Sequence, residues 1–155
     1  MPDDRTPMHT GGCQCGAVRY ALYAEPKGVH ICHCRMCQKA FGSFFAPLAP
    51  VRNRDFAWTK GEPGLYRSSE IVERGFCPAC GTPLSFRYTD GDWMDVSIGS
   101  LDEPARVRPK EQFGIESRMP WFDELHTLPG TRTENDIAPE RLARLKSLQH
   151  PDRDE

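Results

Sequence analysis

The chain carries almost no surplus charge and no long apolar run. Its 20 Lys and Arg stand against 22 Asp and Glu, a formal net charge of −2 with a sequence pI near 6.2. No global basic field therefore exists to draw in phosphate backbones or anionic lipid, and nucleic acid is a poor expectation. No segment approaches the roughly 20 consecutive apolar residues of a membrane-spanning helix. The opening residues, MPDDRTPMHT, put acids where a secretory signal needs positive charge, and no apolar stretch follows them. These absences predict a cytoplasmic protein in reducing surroundings, where clustered cysteines read as metal ligands and not as a disulfide framework. Internal repeats and linker-like composition are missing too. At 155 residues and 17.6 kDa the expectation is one domain, large enough to bury roughly two-thirds of its unfolded surface. It is placed at residues 11–148, between a polar segment 1–10 and a tail 149–155 that are both expected to be poorly ordered.

Helical periodicity is scarce, and short alternating runs take its place. Ala17 to Tyr23 sets Val18, Tyr20 and Leu22 against Arg19, Ala21 and Tyr23, the period of two of a half-buried strand. Ser43 to Leu48, Gly64 to Arg67, Leu84 to Tyr88 and Trp93 to Ile98 read the same way. Asp90-Gly91 lies between the last two and predicts a tight hairpin with positive φ at both central positions. With 13 Gly and 14 Pro as punctuation, the fold class is mainly β with short helices. One helix of a turn or two is expected over Arg35 to Phe41. A second is expected from Pro139, where Asp136 and Glu140 are acidic at the N-terminal end and Leu142, Leu145 and Leu148 share a face.

Seven cysteines fall into three clusters: Cys13 and Cys15, then Cys32, Cys34 and Cys37, then Cys77 and Cys80. Seven divides into a closed metal site of four ligands and an open site of three, as in a structural and a catalytic zinc. Cys13 and Cys15 sit at i and i+2, so on an extended segment both thiolates leave one face. Cys77-Pro-Ala-Cys80-Gly81 has the spacing of a knuckle that ends on a glycine with positive φ. Pairing the two halves ties the first strand to the middle of the chain across some sixty residues, where a metal cross-link helps a small β domain most. The competing reading of Cys77 and Cys80 is a redox pair, but such a pair needs a following helix. Here Gly81-Thr82-Pro83 and a strand pattern follow.

Cys32, Cys34 and Cys37 combine an i, i+2 pair with an i, i+3 pair, so a segment leaving a strand and entering a helical turn offers three thiolates to one ion. No fourth cysteine remains. His33 lies between two ligands on an extended segment and is expected to point the other way. His30 and His126 are the other histidines that could close the site, which would make it a second structural zinc. A three-thiolate zinc is electron-rich, a poor activator of water, and suited to binding another soft thiol.

GGCQCGAVRY at 11–20, CHCRMCQKAFGSFF at 32–45, ERGFCPACGTPLSFR at 73–87, DVSIGSLDEP at 95–104 and ESRMPW at 116–121 together resemble the glutathione-dependent formaldehyde-activating enzyme family, whose domain also occurs in centromere protein V. The resemblance implies an Mss4-like zinc-bound β fold with two zinc ions, a structural one on Cys13, Cys15, Cys77 and Cys80 and a catalytic one on Cys32, Cys34 and Cys37. It also implies addition of the glutathione thiol to formaldehyde, or the reverse, a carbon–sulfur lyase activity. Many members carry a histidine before the tryptophan of the ESRMPW-like motif, where this chain has Gln112, which can hydrogen-bond but cannot exchange a proton. Glutathione has two carboxylates and one ammonium, so Arg35, Lys39 and Arg118 are candidate contacts and Trp121 a candidate wall. Two other readings are carried forward: a zinc-stabilised binding module without turnover, and a thiol redox or metal sensor working through Cys32, Cys34 and Cys37.

Overall fold

The computed structural model describes residues 3–154. Its elements run β1 (His9–Gly12), β2 (Arg19–Leu22), β3 (His30–Cys32), α1 (Arg35–Phe41), β4 (Ala46–Arg52), β5 (Phe56–Lys60), β6 (Gly64–Ser69), β7 (Val72–Phe76), β8 (Pro83–Tyr88), β9 (Trp93–Ser97), β10 (Glu111–Phe113), α2 (Thr133–Asp136) and α3 (Pro139–Arg144). The fold is mainly β, as expected from the short alternating runs. No helix among the described residues is long and apolar enough to cross a membrane.

Two sheets form. β1, β2 and β5 make a three-stranded antiparallel sheet, and the other strands form a seven-stranded sheet in the order β10-β3-β4-β9-β8-β7-β6. All its pairs are antiparallel except β10 on β3. The main core lies between the sheets. Tyr20 and Leu22 from β2 meet Ala49, Val51, Leu84 and Val96 there, with Phe56, Trp58 and Met94 packed against them. On β4, Ala46 and Leu48 have the opposite parity from Ala49 and Val51, so the pleat turns them to the other face. That face carries a smaller cluster of Cys32, Cys37, Ala46 and Leu48, with Cys34, Phe41 and Phe86 against it. It is the face that α1 covers.

Three expectations are corrected. Residues 9 and 10, placed in a poorly ordered N-terminal segment, belong to β1, where His9 is buried and pairs with Leu22. Four residues reading HTGG carry no alternating apolar signal, so only pairing defines them as a strand. Asp90-Gly91 does lie between two paired strands, but the connection spans residues 89–92 and neither residue has positive φ. Gly91 instead donates its N–H to the Tyr88 carbonyl at 3.1 Å, a turn that needs no left-handed residue. α3 starts at Pro139 as expected but stops at Arg144, leaving Leu145 and Leu148 outside it and exposed. The leucine stripe is thus not a packed helix face. The tail touches the body further on: the His150 N–H donates to the Gln14 carbonyl at 2.8 Å, beside the first cysteine pair.

Candidate metal centres and active site

The first pair of cysteines is set by the end of β1 and the turn that follows it. The Val18 N–H donates to Cys13 Sγ at 3.2 Å, and the Cys13 N–H to the Val18 carbonyl at 3.0 Å. The Cys77 knuckle closes on itself, with the Gly81 N–H donating to the Cys77 carbonyl at 2.8 Å and the Cys77 N–H to the Thr82 carbonyl at 3.0 Å. Gly81 has φ 80°, a conformation costly for any residue with a Cβ. The two halves meet where the Gln14 N–H donates to Thr82 Oγ1 at 3.0 Å. As a result the Sγ atoms of Cys13, Cys15, Cys77 and Cys80 all lie within 4.8 Å of one another. Four sulfurs on a tetrahedral ion at about 2.3 Å stand about 3.8 Å apart. Cys13 to Cys15 is 3.6 Å and Cys15 to Cys77 is 3.8 Å, so this group fits a four-coordinate metal.

Cys32, Cys34 and Cys37 form a second such group, with their Sγ atoms also within 4.8 Å of one another. β3 delivers Cys32, and Cys34 is the N-cap of α1, its Sγ accepting the Cys37 N–H at 3.4 Å. The chain passes tightly here. A Cβ on Gly114, which has φ 66°, would lie 2.9 Å from the Cys34 backbone nitrogen. Among the described residues the group stops at three. His33 is fully buried and turned away, its Nε2 donating to Gln112 Oε1 at 2.9 Å and its ring standing edge-on to Phe122 at 4.8 Å. His30 Nδ1 lies 2.8 Å from the Gly28 carbonyl, and His126 is outside the group. Three converging sulfurs could hold a soft metal ion.

The expected substrate contacts divide between two places. Arg35 and Lys39 line one cleft of about 470 Å³ together with Met36, Tyr66, Ser68 and Arg74. Gln112 lines another with Ile31, Arg108, Lys110 and Phe122. Arg118 lies 3.5 Å from Gln112 Oε1, and Trp121 stacks edge-on against Phe44 at 5.0 Å. The five candidates are therefore not one pocket.

Arg74 was not anticipated. It is 6% exposed, with Nε donating to Ser68 Oγ at 3.1 Å, Nη2 reaching Cys37 Sγ at 3.5 Å, and the guanidinium 5.0 Å from the Phe86 ring centre. Nη1 is buried without a hydrogen-bond partner among the described residues. The hydrogen bond from Cys32, opposed by burial and reinforced by Arg74, lowers the Cys37 thiol, while Cys37 drives Cys32 up. One sequence signal existed: in Val72-Glu73-Arg74-Gly75-Phe76 the arginine shares parity with the two apolar residues.

Asp95 was also missed as a site residue. It is 9% exposed, and its side-chain carboxylate makes no hydrogen bond or ion pair among the described residues. Burial, opposed by His30 and aided less by Cys37, raises its carboxyl to about 6. Its folded value lies above the ordinary 3.8, so its cost is absent below about pH 4, builds as pH rises through 6, and is full at pH 7. Asp95→Asn is therefore expected to be more stable than wild type at pH 7.5, by up to about 3 kcal/mol. Denaturant titration is expected to show that gap narrowing as pH falls through 6. A less stable variant at pH 7.5 would contradict the assignment.

A crystal structure of a Rhodobacter sphaeroides protein superposes with a TM-score of 0.52 at 23% identity, over 66% of this chain and 98% of that one, which shows a shared fold. An uncharacterized lyase of Schizosaccharomyces pombe is 36% identical over 109 residues, 65% of this chain and 78% of that protein. Residues 8–117, which hold both cysteine groups, match the family described as glutathione-dependent formaldehyde-activating enzyme. With the match spanning both candidate metal centres and the whole seven-stranded sheet, the chain belongs to the glutathione-dependent formaldehyde-activating enzyme family.

Proposed function

We propose that the protein is a zinc-dependent carbon–sulfur lyase of the S-(hydroxymethyl)glutathione synthase type, joining or separating glutathione and formaldehyde or a similar small electrophile. The observation that carries this reading is the three-sulfur group of Cys32, Cys34 and Cys37 with a buried arginine against one of its members. Family membership and the lyase-named relative support it. Cys13, Cys15, Cys77 and Cys80 would hold a structural zinc, and Cys32, Cys34 and Cys37 a catalytic one. When bound, the catalytic ion supplies a soft Lewis acid that favours the thiolate form of a thiol. The chemistry balances without an oxidant: a bond forms from sulfur to the aldehyde carbon, and the carbonyl oxygen takes up the proton that the thiol gives up.

The chain's own residues would do the rest. Arg74, donating to Cys37 Sγ, would favour the thiolate there and neutralise part of the charge of a three-thiolate site. Arg35 and Lys39, in the same cleft and with no ion pair among the described residues, would draw a carboxylate of the substrate. Gln112 cannot pass a proton, and with Arg118 near its oxygen it is proposed to hold His33 and so the extended segment carrying Cys32 and Cys34. Trp121 would close that side against Phe44. A cytoplasmic, reducing setting belongs to the proposal, because the site needs free thiols.

Exchange spectroscopy tests the activity by following interconversion of formaldehyde and S-hydroxymethylglutathione. A rate that rises in proportion to added protein is expected; no acceleration would favour a binding module. Arg74→Leu is expected to weaken metal retention by the three-cysteine site about ten- to hundredfold in chelator competition, with Arg74→Lys recovering part of it. Unchanged retention in Arg74→Leu would remove Arg74 from the account.

A further inference from the structure

Strand pairing places one row of residues across five neighbouring strands. Pro50 pairs with Asp95, Asp95 with Phe86, Phe86 with Arg74, and Arg74 with Tyr66 on the edge strand. Pro50 has the parity of Leu48, so the row lies on the face of the sheet that holds the three-cysteine group. Phe86 divides it. On the Arg74 side is the cleft with three cations and no acid. On the Asp95 side is a second cleft of about 400 Å³, walled by Pro50, Phe86, Tyr88 and Trp93, with Lys27 at its edge. Phe86 packs against the cluster containing Cys32 and Cys37, so one ring separates this second cleft from the candidate metal centre.

We infer that the Asp95 cleft is a binding site for an organic ammonium group, and that it receives the γ-glutamyl ammonium of the thiol whose glycine-end carboxylate faces Arg74, Arg35 and Lys39. The inference rests on the proposed thiol chemistry for the identity of the ligand, and on the Asp95 cleft alone for its charge. An aspartate that is nine-tenths buried, with its carboxylate bonded to no protein group among the described residues and open to a cleft, is costly in the empty protein and marks a place for a partner of opposite charge. The surroundings select a cation. Phe86 and Tyr88 stand edge to face at 5.2 Å, and aromatic faces attract an ammonium, which Asp95 then pairs with out of water. Lys27 is exposed and makes no ion pair with Asp95 among the described residues. A zwitterionic thiol would thus be read at both ends, with its sulfur between them.

Two arms test this. In the first, cobalt-substituted protein is titrated with glutathione and with N-acetylglutathione, which lacks the ammonium charge, for wild type and Asp95→Asn. Wild type is expected to prefer glutathione at least about tenfold, and Asp95→Asn to bind both thiols about equally. Asp95→Asn removes an unpaired charge and no contact, so it is expected to fold. In the second arm, S-methylglutathione, which keeps the ammonium but has no free thiol, is followed through the backbone amide resonances of Trp93 and Asp95. Shifts that saturate in wild type and vanish in Asp95→Asn support the site. No preference in the first arm, or no shifts in the second, overturns it. A cobalt spectrum that neither thiol moves would sink the thiol-on-metal reading instead, and the second arm alone would then decide the ammonium site.

Discussion

Replacing Cys77 by Ser is expected to leave no soluble protein. Cys77 is buried at the start of its knuckle, and its sulfur lies 3.8 Å from Cys15 across 62 residues of chain. Apparent binding energies for small structural zinc sites are about 10–16 kcal/mol, which equals or exceeds the roughly 5–15 kcal/mol stability of a whole domain. Losing one of four ligands removes much of that energy and leaves a polar hydroxyl where three sulfurs remain converged. The same outcome is expected for Cys13→Ser, whose sulfur also accepts the Val18 N–H. The check is soluble yield and metal content after expression with zinc. Well-folded Cys77→Ser with an unchanged thermal midpoint would show that the four-cysteine group does not hold the fold together.

Cys34→Ser is expected to do the opposite, leaving the fold intact and bringing the lyase rate down to the uncatalysed background. Cys34 is the least buried of its three-sulfur group, and its backbone role is to cap α1. Serine is a good N-cap, so the helix start survives the change. What is lost is a soft ligand at the proposed catalytic ion, which is asked to supply several kcal/mol of stabilisation to the developing thiolate. That corresponds to a loss of about a thousandfold or more. Because thiols add to formaldehyde unaided, the rate has to be measured against a protein-free control. Activity retained in Cys34→Ser alongside a normal thermal midpoint would move the chemistry elsewhere.

Much of this was legible because cysteine spacing encodes geometry directly. An i, i+2 pair on extended chain and a knuckle ending in Gly81 each constrain two sulfurs, and α1 falls on Arg35–Phe41 as expected because Cys34 and Gly42 bound it. The α3 stripe failed for a related reason: leucines at 142, 145 and 148 supply a pattern, but α3 ends at Arg144 and Leu145 and Leu148 stay exposed. β10 was illegible because Glu111, Gln112 and Phe113 are all exposed and paired in parallel over only three residues. Asp95 reads as a solvent-facing residue of an alternating strand, since Met94 and Val96 supply the apolar parity. Only its register against Phe86 and Pro50 shows that the other face is covered as well. Arg74 is hidden in the same way: which side of a sheet is lidded depends on pairing between distant strands, and no local period carries that information.

The most direct measurement is metal stoichiometry on wild type and Cys34→Ser, joined to the visible spectrum of cobalt-substituted wild type as glutathione is added. Two ions in wild type, one in Cys34→Ser, and a spectral change that saturates with glutathione are expected from a closed site of four cysteines and an open site of three. Two ions with a spectrum indifferent to thiol would contradict the open site and leave a protein that uses both metals only to hold its shape.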